Sequence, residues 1–150
     1  MSTPLPKSSL ILTRYLYIKE EVVAALLLAL LDKREDCALF WAYELYYSGF
    51  QTETFAFLWS IYYDFYATLN PTFEQFFLST HKEWIKTNDP CALGNIVINL
   101  CIRPFTTDCF MLRHVVEQFV VSTSSSLKED NDNSISHKIA DWLAEHNYEC

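Results

Sequence analysis

The chain has 150 residues, 51% of them hydrophobic and 16% aromatic, with a formal charge of −8. That length and apolar content suffice for one core without staples and exclude global disorder. Two glycines and five prolines are too few for a turn-rich β-sandwich or barrel, and an acidic balance disfavours direct contact with nucleic-acid phosphates.

Residues 1–13 read as a polar, proline-containing lead that becomes ordered only near Tyr15. The first helix is predicted from Ile18 to Lys33, with Glu20 and Glu21 in its first turn and Lys33 and Arg34 at its end, charges that suit the helix dipole. Its run Val22–Leu31 is wholly apolar, so neighbours are expected all round it. Ten residues of helix reach about 15 Å, half the hydrocarbon thickness of a bilayer, so this run is a core helix and not a membrane span.

The second helix is predicted over Glu35–Ser48, closed by Gly49. A third starts at Thr52 as N-cap and carries Phe55, Leu58, Trp59, Tyr62, Phe65, Tyr66 and Leu69 on one stripe at helical spacing. Asn70-Pro71 ends it and opens a fourth, with Phe73, Phe76, Phe77, Thr80 and Trp84 on one face. Asp89-Pro90 caps a fifth, whose stripe is Leu93, Ile96, Val97, Leu100 and Cys101, and Arg103-Pro104 stops it.

A sixth helix starts near Thr107 or Asp108 and is expected to point Leu112, Val115, Val116 and Phe119 inward. Residues 122–134, STSSSLKEDNDNS, read as a flexible polar loop before a seventh helix from Ser136 with Ile139, Trp142 and Leu143 as its docking face. The fold class is therefore all-α: six or seven short consecutive helices in a single domain spanning residues 1–150. Starts near residues 18, 35, 52, 71, 90 and 107 fit either an orthogonal bundle or a solenoid-like stack of helical hairpins.

Chemical motifs are sparse. With only Gly49 and Gly94, no phosphate-cradling glycine loop exists. Cys91, Cys101, Cys109 and His114 match no compact zinc spacing, and an odd five cysteines without a signal-peptide layout suggest a reducing intracellular compartment. None of His81, His114 and the other two histidines stands at a recurrent catalytic spacing from a nucleophile or carboxylate. Neither a cofactor, a metal nor an enzymatic activity is expected.

The densest signal is aromatic, from Phe40 to Tyr66, on more than one face of helices two and three. Core packing accounts for one face of each. The surplus points to a protein-binding patch drawn from Tyr43, Tyr46, Tyr47, Phe57 and Tyr63, since tyrosine combines a large apolar contact with a polar tip. Glu44, set among these rings, is expected to bond a tyrosine hydroxyl or an arginine such as Arg14.

The stretches RYLYIKEEVVAALLLALLDKREDCALFWAYELYYSGF and LWSIYYDFYATLNP together resemble aromatic-rich helical proteins of nucleocytoplasmic large DNA viruses. The resemblance covers about the first half of the chain and carries over no functional residue. It implies a viral protein acting in the cytoplasm or viral factory of an infected cell. The sequence thus points to a non-enzymatic protein–protein interaction module or a subunit of a larger assembly. The alternative is a nucleic-acid-processing accessory that binds RNA or DNA through Lys82, Lys86, Arg103 and Arg113.

Overall fold

The computed structural model describes residues 9–124. The chain divides into two units, Met1–Thr107 and Asp108–Cys150. The first contains α1 (Lys19–Leu31), α2 (Glu35–Tyr47), α3 (Gln51–Ile61), a π-helical turn (Tyr62–Tyr66), α4 (Phe73–Thr87) and α5 (Cys91–Ile102); the second contributes α6 (Asp108–Ser124). The protein is all-α: no strand occurs among the described residues, only an isolated bridge between Leu12 and Ile18.

Order begins earlier than the lead segment's composition suggests. Thr13 is buried, its N–H donates to Tyr17 O at 2.8 Å, and Lys19 N donates to Ile11 O at 2.9 Å. This tight loop turns at Leu16, whose φ of 67° is left-handed. Three further left-handed residues separate the helices: Lys33 after α1, Gly49 after α2 and Asn88 after α4. Such positions end helices by freeing the last carbonyls for turn bonds. Lys33 therefore lies outside α1, and its ammonium donates to Cys101 O and Arg103 O. A cation on these final carbonyls complements the dipole of α5.

Helix α2 packs on α1, α3 and α5, and α5 returns to α4 and α1. This closure is that of a bundle; an open stack would keep α5 away from α1. The stripe predicted for α5 is buried in full, with Leu93, Ile96, Val97 and Leu100 wholly enclosed. Asp89 caps this helix as expected, its carboxylate accepting the Cys91 N–H at 3.0 Å.

Several expectations need correction. Helix α3 begins at Gln51 behind Phe50, and Thr54 Oγ turns back on Phe50 O, so Thr52 is not its cap. The aromatic stripe is not one continuous helix: Ala67 N bonds Tyr62 O, five residues back, and this wide turn holds an extra residue. An inserted residue rotates the helix beyond it by about 100°. Leu69 thereby leaves the stripe and lies half exposed, while Asn70 turns inward, where its amide donates to Tyr66 O and Pro104 O. Tyr62 completes this polar knot by donating its hydroxyl to Asn70 O at 2.9 Å.

Helix α1 is the third case. Val22, Leu26, Ala29 and Leu30 are buried, but Leu28 is 65% exposed and Leu27 only partly covered. Neighbours enclose one side of the apolar run and leave the other in solvent. Helix α6 continues to Ser124, through the start of the stretch read as a loop. None of its residues is buried; Leu112 and Val116 are exposed and Val115 and Phe119 intermediate. The rest of residues 122–134 and the seventh helix lie outside the described residues.

Candidate functional site

The structure brings three of the five nominated aromatic residues together and leaves two elsewhere. Tyr43 and Tyr47 stack at 5.8 Å, and Tyr46 meets Tyr47 edge-on at 5.1 Å. Tyr46 is a core residue, 6% exposed, whose hydroxyl accepts the Trp84 indole N–H at 2.9 Å. Tyr43 is half-buried; its hydroxyl donates to Pro90 O at 2.8 Å and stands 2.7 Å from where a β-carbon on Gly94 would lie. Glycine at 94 is what lets α5 approach this ring. Burial raises the Tyr43 pKa above its usual value.

Tyr47 is exposed and shares the guanidinium of Arg14 with Tyr15, at 5.2 and 4.7 Å from the two ring centres. Tyr63 lies apart on the π-helical turn, stacked on Trp59 and donating its hydroxyl to Glu74 at 2.8 Å, a bond to a carboxylate that raises its pKa. Phe57 lines a small depression with Phe50 and the Lys19–Glu53 ion pair. The five do not form one patch.

The remaining candidates are also dispersed. His81 lies flat on Phe55 at 4.6 Å, and its Nδ1 accepts the Trp59 indole N–H at 3.0 Å. An acceptor nitrogen must be unprotonated, and burial correspondingly lowers the His81 pKa. His114 lies on α6, 3.2 Å from the Gln118 amide. Cys101 is buried, its thiol pushed up to about 11 by burial and then by Glu35. Cys91 is exposed, and a hydrogen bond to Asp89 raises its pKa. No group of three or more potential metal ligands occurs among the described residues. Lys82 and Lys86 are exposed on α4, Arg103 packs over the Phe73 ring at 4.4 Å, and Arg113 pairs with Glu117.

What does stand out is the outer face of α1 and α2. A depression of about 570 Å³ runs between these helices, with Ala25, Leu28, Ala29, Cys37 and Trp41 among its lining residues. Trp41 continues it outward: Phe40 meets its indole at 4.8 Å and Tyr17 at 5.2 Å, both edge-on. Leu28, Phe40 and Tyr17 are 65%, 48% and 42% exposed. Large apolar side chains joined in this way mark interaction surfaces more strongly than isolated ones. Two sequence signals foreshadow the face. Glu21, Ala25, Leu28 and Asp32 fall at i, i+4, i+7 and i+11, so charges bracket one strip of α1, and Asp36 sits one turn before Phe40.

The arm that carries Tyr17 is pinned to α2. Glu44, with its side chain wholly enclosed, accepts the Nε–H of Arg14 at 3.1 Å and the N–H of Tyr15 at 3.2 Å. Ser48 Oγ accepts the Arg14 N–H at 2.9 Å and donates to Glu44 O. These bonds hold the loop against α2 and thereby place Tyr17 beside Trp41. No described helix is long and apolar enough to cross a membrane. No family model matches the chain, and no curated protein matches it.

Proposed function

We propose that the chain is a non-enzymatic protein-interaction module whose docking surface is the α1/α2 face. The observation that carries this reading is the continuity of Leu28, Trp41, Phe40 and Tyr17: Leu28 and Trp41 line one groove, Phe40 and Tyr17 extend it from Trp41, and the part-buried Arg14–Glu44 pair holds the arm. Aromatic residues of this kind dominate binding energy at protein interfaces because they bury large areas at small entropic cost. The module acts within a larger assembly, in an infected cell's cytoplasm or viral factory if its resemblance to proteins of large DNA viruses reflects its origin.

Affinity isolation of the full chain from the cells that naturally contain it tests the reading. Wild-type chain should recover a stoichiometric protein partner, and the double variant Leu28→Ser/Phe40→Ser should lose it while keeping its helical circular dichroism. A wild-type chain that purifies as a lone monomer, or a variant that keeps its partner, contradicts the assignment.

A further inference from the structure

The charges around the α1/α2 groove narrow what sits in it. Three carboxylates border the exposed apolar strip: Glu21 and Asp32 one turn to either side of Ala25 and Leu28, and Asp36 one turn before Phe40. All three are exposed, and none forms an ion pair among the described residues. Arg34 is the cation lining the groove. The neighbouring Lys33 is turned away, its ammonium held by Cys101 O and Arg103 O. An apolar trough with an acidic rim selects a ligand that is apolar along one stripe and cationic on either side of it.

The shape of the trough points the same way. Its walls are two packed helices, and Ala25, Ala29 and Cys37 leave its floor low enough for a third helix to approach. Helix α1, with 13 residues, offers about 20 Å of length, which matches three to four turns of a partner helix. A second copy of this chain would bring the same three carboxylates, and a net charge of −8, against themselves. An anionic bilayer or a nucleic acid meets the same repulsion.

We propose that the α1/α2 groove is the docking site for a basic amphipathic helix of a protein partner. This rests on the assignment of the face as a docking surface and specifies the chemistry of what it receives. Leu28, Trp41 and Phe40 would seat apolar residues recurring at i, i+3 or i+4, and i+7, while Glu21, Asp32 and Asp36 pair with lysines or arginines along the edges.

Two synthetic helical peptides with the same apolar stripe, one with Lys and one with Glu at every polar position, test this on the full chain. The Lys peptide should bind at least about tenfold more tightly at low salt, with the gap narrowing as salt rises. Binding should slow alkylation of Cys37 in the groove, read by peptide mass mapping, and leave Cys91 unaffected. The variant Leu28→Ser/Phe40→Ser should weaken the Lys peptide by about tenfold, as expected when two apolar anchors are lost.

Equal affinity for the two peptides overturns the proposal, as does Lys-peptide binding that leaves Cys37 reactivity unchanged. So does a free chain in which Cys37 is already unreactive, whether through self-association seen by sedimentation or through cover by the chain itself. Protection of Cys37 by phosphatidylserine vesicles would assign the face to a membrane instead. If the peptides fail while the Leu28→Ser/Phe40→Ser variant still loses its native partner, the docking surface stands and only its ligand chemistry is wrong.

Discussion

Arg14 donates its Nε–H to the enclosed carboxylate of Glu44, and with the Tyr15 N–H on the same carboxylate this contact ties the loop before α1 to α2. The pair is asymmetric: the Glu44 side chain is 0% exposed and that of Arg14 40%. Glu44 therefore depends on Arg14 more than Arg14 depends on it.

Replacing Arg14 by Ala leaves the carboxylate enclosed with only the Tyr15 N–H to satisfy it. The expected cost is about 2 kcal/mol, below the range for a fully buried pair because Arg14 is partly in solvent. Adding Glu44→Met in the same chain should recover part of that loss, since the unpaired charge is gone. Urea unfolding of wild type and both variants measures the two effects. An Arg14→Ala chain as stable as wild type would show the anchor to be incidental.

His81 makes stability depend on pH. Its folded pKa lies below the ordinary value of 6.5 because burial disfavours the charged ring. In the window below 6.5 the unfolded chain binds more protons than the folded one, so stability falls as pH falls. The contribution is fully present above 6.5 and is lost on descent through the folded pKa, as protonation of Nδ1 removes the acceptor for Trp59. In His81→Gln, which keeps an acceptor and does not titrate, the midpoint of thermal unfolding should vary less with pH across this window. An unchanged slope would place the titrating group elsewhere.

Tyr46 and Tyr63 should respond very differently to truncation. Tyr46 is a core ring that also satisfies the Trp84 indole, so Tyr46→Ala should cost about 3–5 kcal/mol. Tyr63 is 51% exposed and its hydroxyl bonds only at the surface, to Glu74, so Tyr63→Ala should cost below about 1 kcal/mol. Comparable losses in the two chains, read by denaturant midpoints, would contradict this division of the rings.

That division marks how far the sequence could be read. The α5 stripe was fully legible because one apolar face with a capping Asp89 leaves a single way to pack. The helices and their punctuation by Gly49, Asn70-Pro71 and Asp89-Pro90 were legible for the same reason. The π-helical turn at Tyr62–Tyr66 was not, since an extra residue in a turn leaves no mark on a pattern that stays aromatic throughout. Nor could a count of rings tell Tyr46, roofed by Trp84, from Tyr47, whose ring lies in solvent beside Arg14. That Glu44 needs a donor was legible, because an acid sits among rings; of the tyrosine hydroxyl and the arginine that the sequence left open, the structure has Arg14. The α1/α2 face was missed because an unbroken apolar run masks which side is wet until its flanking charges are counted.

Gly94 and Tyr43 should be energetically coupled. In wild type, Gly94→Ala gains up to about 1 kcal/mol of helix propensity but drives a methyl into the Tyr43 hydroxyl, for a net loss. Tyr43→Phe removes that oxygen, so the same Gly94→Ala change should become neutral or stabilising in the Phe background. A double-mutant cycle reads the coupling directly. Additive effects would mean that Tyr43 simply swings aside.

Docking of partners on the α1/α2 face is met most directly by site-specific photo-crosslinking in the cells that naturally contain the protein. A benzophenone amino acid in place of Phe40 is compared with one in place of Leu78, which is similarly exposed on α4. A docking surface at α1/α2 predicts a discrete protein adduct from position 40 and none from position 78. Adducts of equal yield from both positions, or from position 78 alone, would contradict it.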